Sequence, residues 1–170
     1  NSLIVTQQRD RLKVHIHTDT PVQLIEHLLA YGTFLSQKAD DTFLLNRLHT
    51  TAKGGIGIIT DSIADLPDEF LLAHNVSVVP MGVLVGETAY LDKLTIRLPQ
   101  LFSAMDRPDN YPTSSQPEPG RIRALLSARL EQFDSLIVLS VAQKLSGAYQ
   151  ALIHAVKSLD TQNKPITVID

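Results

Sequence analysis

Ile56-Gly57-Ile58-Ile59-Thr60-Asp61-Ser62-Ile63-Ala64-Asp65-Leu66-Pro67 is the stretch whose pattern selects the fold. Its first five residues form a short apolar run bounded by Gly55 and Asp61, the mark of a strand buried on both faces. A polar turn follows. A helix is then expected over 66–74, opening near Pro67, with Asp68 and Glu69 in its first turn. Proline is tolerated there, and carboxylates meet the positive end of the helix dipole.

Downstream the alternation continues. Val76-Ser77-Val78-Val79-Pro80 reads as a second strand, which 81–85 extends or pairs beside. Helices are expected over 98–105 and 118–133, the second carrying Ile122, Leu125, Leu126, Leu130 and Phe133 on one stripe. Leu136-Ile137-Val138-Leu139 is a third strand. A helix over 145–159 has Leu145, Ala148, Tyr149, Leu152, Val156 and Leu159 on its apolar face, and Ile166-Thr167-Val168-Ile169 is a fourth strand. Strands alternating with helices give an α/β fold with a mostly parallel, doubly wound sheet. Ligands of such sheets sit beyond the carboxyl ends of the strands, which places Thr60, Ser62 and Ser140 at or near the functional edge.

Upstream the pattern differs. Leu3-Ile4-Val5 and Leu12-Lys13-Val14-His15-Ile16-His17 read as strands around a polar turn. Asp19 or Thr20 can cap a helix that opens with Pro21 and stops at Gly32. A further strand over 33–35 and a short helix over 41–48 complete a small α+β unit. The expected organisation is that unit over 1–50, a linker over 51–55 containing Gly54-Gly55, and the α/β domain over 56–170.

With 170 residues, 44% hydrophobic and 19% charged, the chain has the composition of a soluble globular protein with a real core. A net charge of −3 and the lack of any Lys/Arg-rich run argue against a nucleic-acid binder. Cysteine is absent, so disulfides and thiolate sites within the chain are excluded, and a reducing, cytoplasmic location fits. No run approaches the roughly 18 apolar residues of a membrane span. The start has neither an initiator Met nor the basic region and apolar core of a signal peptide, and the end falls at the tip of an expected strand. Both ends are expected to be cuts in a longer cytoplasmic protein.

The chemistry gathers in three hydroxyl-bearing stretches: Thr60-Asp61-Ser62-Ile63-Ala64-Asp65-Leu66-Pro67, Pro112-Thr113-Ser114-Ser115-Gln116-Pro117-Glu118-Pro119-Gly120 and Leu145-Ser146-Gly147-Ala148-Tyr149-Gln150. Each sets small hydroxyls where an apolar run ends or a helix begins, positions suited to holding one small anionic group with neutral donors. Thr113, Ser114 and Ser115 can deliver two or three donors to a carboxylate. Ser115 can equally cap the following helix, and both can hold, because exposed helix N-termini bind anions. Ser146 has the same two readings, with Gly147 permitting close approach of a ligand. Asp65 is expected as an N-cap. An acid/base pair of Asp61 and Asp65 has no neighbouring His or Lys in sequence to support it. His15 and His17, two apart on a strand, point to one face and can supply two metal ligands, zinc being the first guess. The P-loop and the nucleophile elbow are absent, and Gly54-Gly55-Ile56-Gly57 precedes its strand where a dinucleotide fingerprint follows one.

In this order and spacing the three stretches resemble the DegV family of fatty-acid-binding proteins, over 56–170. That family shows a T-D-S-x-x-D-L-P opening, a T-S-Q-P-x-P-G loop and an L-S-G-T-Y-Q helix start. The resemblance implies a long-chain fatty acid as ligand, its carboxylate held by hydroxyls of the second and third motifs. It also implies an acyl tail in an apolar tunnel between two domains, the second domain following 170. The implied carboxylate-binding residues are Ser114, Ser115, Ser146 and Gly147, with Ser62 from the first motif. Two family threonines are replaced, by Ser114 and by Ala148, the latter losing a hydroxyl, and 140–145 lacks a serine pair near Val141.

Leu12-Lys13-Val14-His15-Ile16-His17-Thr18-Asp19 and the helix after it are similar to the middle part of fatty acid kinase and of related dihydroxyacetone-kinase-like proteins. There the His-x-His, with a Cys further upstream, looks like a metal site. Together the resemblances imply a fusion in which a kinase domain, in cis or in trans, phosphorylates an acyl carboxylate that this chain holds. No catalytic residue is expected in the chain itself. Two other readings stand beside it: a scaffold for a dihydroxyacetone-kinase-like phosphotransferase acting on a small polyol, and an interaction module that docks a kinase domain.

Overall fold

A computed structural model describes residues 2–39 and 54–170. β1 (Leu3–Gln8) and β2 (Arg11–Ile16) form an antiparallel hairpin that turns at Arg9, where φ is 57°. α1 (Pro21–Leu29) begins with proline in its first turn, as expected. Thr20 is its N-cap without a side-chain cap bond; the Thr20 N–H donates instead to Thr18 Oγ1 at 3.1 Å. Residues 33–35 form no strand. A strand is held by a neighbour's ladder, and Leu35 is left 71% exposed. The helix expected over 41–48, and residues 51–53 of the expected linker, lie outside the described residues.

The central sheet is parallel, in the order β4-β3-β8-β9: β3 (Ile56–Asp61), β4 (Ser77–Val79), β8 (Ser135–Leu139) and β9 (Ile166–Ile169). A second, antiparallel sheet has the order β6-β5-β7, from β5 (Gly82–Val85), β6 (Thr88–Leu91) and β7 (Thr113–Ser115). The sequence reading leaves 88–91 and 113–115 outside any strand, since both are short and the second is wholly polar. The loop Gly86-Glu87, with Gly86 at φ 59°, is a hairpin signal that marks the first of them.

The remaining helices are α2 (Asp68–Ala73), α3 (Leu98–Met105), α4 (Pro119–Leu130) and α5 (Ala148–Lys157). Ile122, Leu126 and Leu130 of α4 and Leu152 and Ala155 of α5 pack on Ile59, Val79, Leu136 and Val138 of the sheet. Burying each large side chain contributes about 1.5–3 kcal/mol. Alternation along β3 sends Ile58 to the other face. Polar contacts join residues 2–39 to the rest, among them Gln100 Nε2 donating to Glu26 Oε1 at 3.0 Å and Arg121 Nη1 donating to the Ala39 carbonyl at 2.8 Å. No helix among the described residues is long and apolar enough to cross a membrane.

The strand order places the site. The chain steps outward from β3 to β4 on one side and from β8 to β9 on the other, so winding reverses between β3 and β8. A crevice at the carboxyl ends of the strands opens at such a reversal. Asp61 ends β3 there, and Ser140 follows β8.

Candidate ligand-binding site

The first motif turns the chain at this crevice. Asp61 is 2% exposed. Its Oδ1 accepts from Ile63 N at 3.1 Å, closing the short 3-10 turn Ser62–Ala64, and its Oδ2 accepts from Val141 N at 2.6 Å across the reversal point. Ser62, also 2% exposed, accepts from Met81 N at 3.1 Å through Oγ. Asp65 does not cap α2. Leu66 and Pro67 intervene, and Asp65 ends the 3-10 turn in the left-handed region at φ 49°, paired with Lys93 Nζ at 2.6 Å.

The second motif is a strand where a helix cap was one of the two readings. Ser115 lies in β7, opposite Gly82, while α4 begins only at Pro119 with Glu118 as its N-cap. Pairing with β5 takes Ser115 into the sheet, four residues short of the helix. Side chains alternate along a strand, so Ser114 lies on the face of its partner Val83 and Ser115 on the face of Gly82. The two hydroxyls therefore do not converge from one face. Thr113, Ser114 and Ser115 are all exposed.

The third motif also starts its helix later than its pattern suggests. Leu145 N and Ser146 N both donate to the Ala142 carbonyl, at 2.8 and 3.2 Å, which closes a turn ahead of α5. Leu145 therefore leaves the apolar face assigned to it and stands 81% exposed. Gly147, not Ser146, is the N-cap of α5; Ser146 stands one residue earlier and its Oγ accepts from Ala148 N at 3.2 Å. The loop ahead of it is held by carboxylates of the sheet edge: Val141 N by Asp61, and Gln143 N by Asp170 Oδ1 at 2.6 Å.

Two glycines join the motifs. A Cβ on Gly82 would run into Ser115 Oγ, and a Cβ on Gly147 would run into the Gln116 side-chain amide, with Gln116 Cδ at 2.7 Å. Gln116 of the second motif thus lies directly on the N-cap of the third. The sequence reading assigned it no role, although an amide beside a glycine-opened helix start is a detectable signal. Of the expected residues, the structure brings Ser146 and Gly147 against Gln116 of the second motif, sets Ser114 and Ser115 on opposite faces of β7 with Ser115 Oγ over Gly82, and buries Ser62, whose Oγ accepts from Met81 N.

Apolar side chains stand uncovered beside these hydroxyls. Ile63, next to Ser62, is 51% exposed, and Leu145, next to Ser146, is 81% exposed. A concavity of about 520 Å³ lies between α4 and α5, lined by Gln116, Pro119, Arg123, Gln150 and His154 among others. It meets the motifs at Gln116 and Pro119 of the second and Gln150 of the third, and contains none of the expected serines.

His15 and His17 do share a region of β2 and its end, their rings 5.2 Å apart in an edge-to-face arrangement. Two imidazoles fill half of a tetrahedral zinc shell. No group of three or more His, Cys, Asp or Glu able to hold a metal exists among the described residues, so the zinc expectation gains no support.

Comparison with known proteins places these features. The family profile described as "Uncharacterised protein, DegV family" matches residues 55–170, and the profile of a fatty-acid-kinase-like middle domain matches residues 1–43. A DegV domain-containing protein of Clostridium perfringens is 33% identical over 115 residues, covering 68% of this chain and 40% of the relative. A stearic-acid-binding protein of Eubacterium ventriosum is similar in structure, with a TM-score of 0.64 and 30% identity over 68% of this chain and 41% of that one. A fatty-acid-binding DegV family protein of Thermus thermophilus has a TM-score of 0.61 and 30% identity, covering 68% of this chain and 40% of its own. The chain thus spans about two fifths of the length of these relatives. A profile matched across most of the sequence, a shared parallel sheet and three motifs gathered at its edge lead to one conclusion: this chain belongs to the DegV family.

Proposed function

We propose that this chain binds a long-chain fatty acid in the cytoplasm and holds its carboxylate for phosphorylation by a kinase domain, in cis or in trans. The observation that carries the reading is the seating of Gln116 on Gly147, which brings the second and third motifs together at the carboxyl edge of the sheet. There, the Ser146 hydroxyl and the Gln116 amide supply neutral donors to an acid headgroup, and Ser114, on the face of β7 away from Gly82, adds a third. Exposed Ile63 and Leu145 provide apolar surface for the start of the tail. Each methylene that becomes buried contributes about 0.8 kcal/mol, so the tail dominates affinity and the headgroup sets register. Solved relatives at 30% identity that bind fatty acid support the ligand class. The match of the first 43 residues to a fatty-acid-kinase-like middle domain supports the kinase partnership.

The test is lipid extraction and mass spectrometry on the full-length protein, followed by titration with stearic acid. Bound fatty acid is expected in the wild type. Ser114→Ala and Ser146→Ala should each weaken binding about 10-fold or more, the loss of one hydrogen bond to a charged group. A protein that carries no lipid and ignores stearic acid refutes the proposal. A kinase assay of stearic acid against dihydroxyacetone separates acyl from polyol phosphorylation.

A further inference from the structure

We infer that Asp61 is the positioning residue of the hydroxyl rim, the group that sets the third motif against the first without touching the ligand. The inference rests on the proposed binding site and adds the origin of its geometry. Followed residue by residue, the contacts close a ring. Asp61 Oδ2 holds Val141 N at 2.6 Å. Val141 opens the loop that ends in Ser146 and Gly147. Gly147 carries the Gln116 amide, and Gln116 follows Ser115, whose Oγ lies over Gly82. Met81, one residue before Gly82, donates its N–H to Ser62 Oγ at 3.1 Å, and Ser62 follows Asp61.

Every junction in this ring is specific. Two are side-chain acceptors on backbone N–H groups, and two are close approaches of a side chain to a glycine. Asp61 is where the ring crosses the reversal point between β3 and β8, with both carboxylate oxygens engaged, one inside its own turn and one on the loop. A carboxylate accepts only, so both partners must be donors. Asparagine keeps the shape but sets an NH2 group against an N–H, and the strap to the loop or the turn breaks. Ser62 acts in the same way toward the second sheet. Its burial explains why a hydroxyl of the first motif is a poor candidate for the ligand and a good one for the frame.

Hydrogen exchange on the full-length Asp61→Asn protein tests this without ligand. Exchange at Val141, Leu145, Ser146 and Ala148 should accelerate about 10- to 100-fold, the scale of one charge-assisted bond. Leu136 and Val138, in the strand beneath, should keep wild-type exchange. Unchanged exchange at 141–148, or equal acceleration through Leu136 and Val138, overturns the positioning role. A parallel arm measures stearic acid affinity, expected to fall with the loop's protection in Asp61→Asn and to be spared in Asp160→Asn, a control far along the chain. If the variant loses loop protection and keeps full stearic acid affinity, the role in ligand positioning is overturned. If the wild type binds no stearic acid while the exchange pattern splits as expected, the ring stands as an account of the frame and the fatty-acid reading alone fails.

Discussion

Gly147 has φ −74°, so its backbone would accept any residue. What excludes a side chain there is Gln116. Gly147→Ala should displace the Gln116 amide at a cost of about 1 kcal/mol, the low end for overpacking, because a flexible side chain can yield. The Gln116 side-chain amide resonance should shift and stearic acid affinity should fall, while thermal unfolding changes little. Arg129 illustrates the opposite case, a residue whose role is wholly structural. It is fully buried, and its partners among the described residues are uncharged oxygens and a ring. Nη1 donates to Asn75 Oδ1 at 3.2 Å, Nη2 to the Asn75 carbonyl at 2.5 Å, and the guanidinium lies 4.6 Å from the Phe133 ring centroid. Burial pushes its pKa down to about 10, which still leaves it charged at neutral pH. Arg129→Met should destabilise by about 2–4 kcal/mol in denaturant unfolding, because it strands the half-buried oxygens of Asn75 and the buried Gln132 Oε1, and should leave ligand affinity per folded molecule intact.

Helix ends are where element-level patterns and structure part company. The 3.6-residue spacing of Leu152, Val156 and Leu159 reaches back to Leu145, and the sequence therefore extends α5 by a turn that the Ala142 carbonyl takes for itself. Ser146→Ala removes the acceptor of Ala148 N and should cost about 1 kcal/mol, the loss of one hydrogen bond ahead of the helix, in addition to its effect on ligand. Comparing its unfolding free energy with its binding loss separates the two roles. At the far end of α4, Lys164 Nζ donates to the carbonyls of Leu130 and Phe133, the second at 3.0 Å. It closes carbonyls that no further turn can satisfy. Lys164→Met should lower stability by about 1–2 kcal/mol, read from the urea midpoint, and should not alter binding. Nothing in the local pattern of Gln162-Asn163-Lys164 announces that role, since the partner carbonyls lie more than thirty residues away.

For the molecule as a whole, the parallel sheet was legible because burial on both faces leaves short, continuous apolar runs such as Ile56-Gly57-Ile58-Ile59 and Leu136-Ile137-Val138-Leu139. The order of those runs along the chain, with helices between them, was enough for the class of fold. The three-stranded sheet was not legible, because Thr113-Ser114-Ser115 has no pattern of its own and becomes a strand only by pairing with Val83 and its neighbours. The site shows the same division. That hydroxyls gather at strand ends and helix starts is a property of local sequence, and so is the motif order that marks the family. Which hydroxyls meet is another matter. Asp61 and Val141 are eighty residues apart and touch because the winding reverses between their strands, and Gln116 meets Gly147 because a residue without a side chain leaves it room. Short-range chemistry is written in neighbouring residues; contacts across the sheet edge depend on strand order and register, which no window of the chain contains.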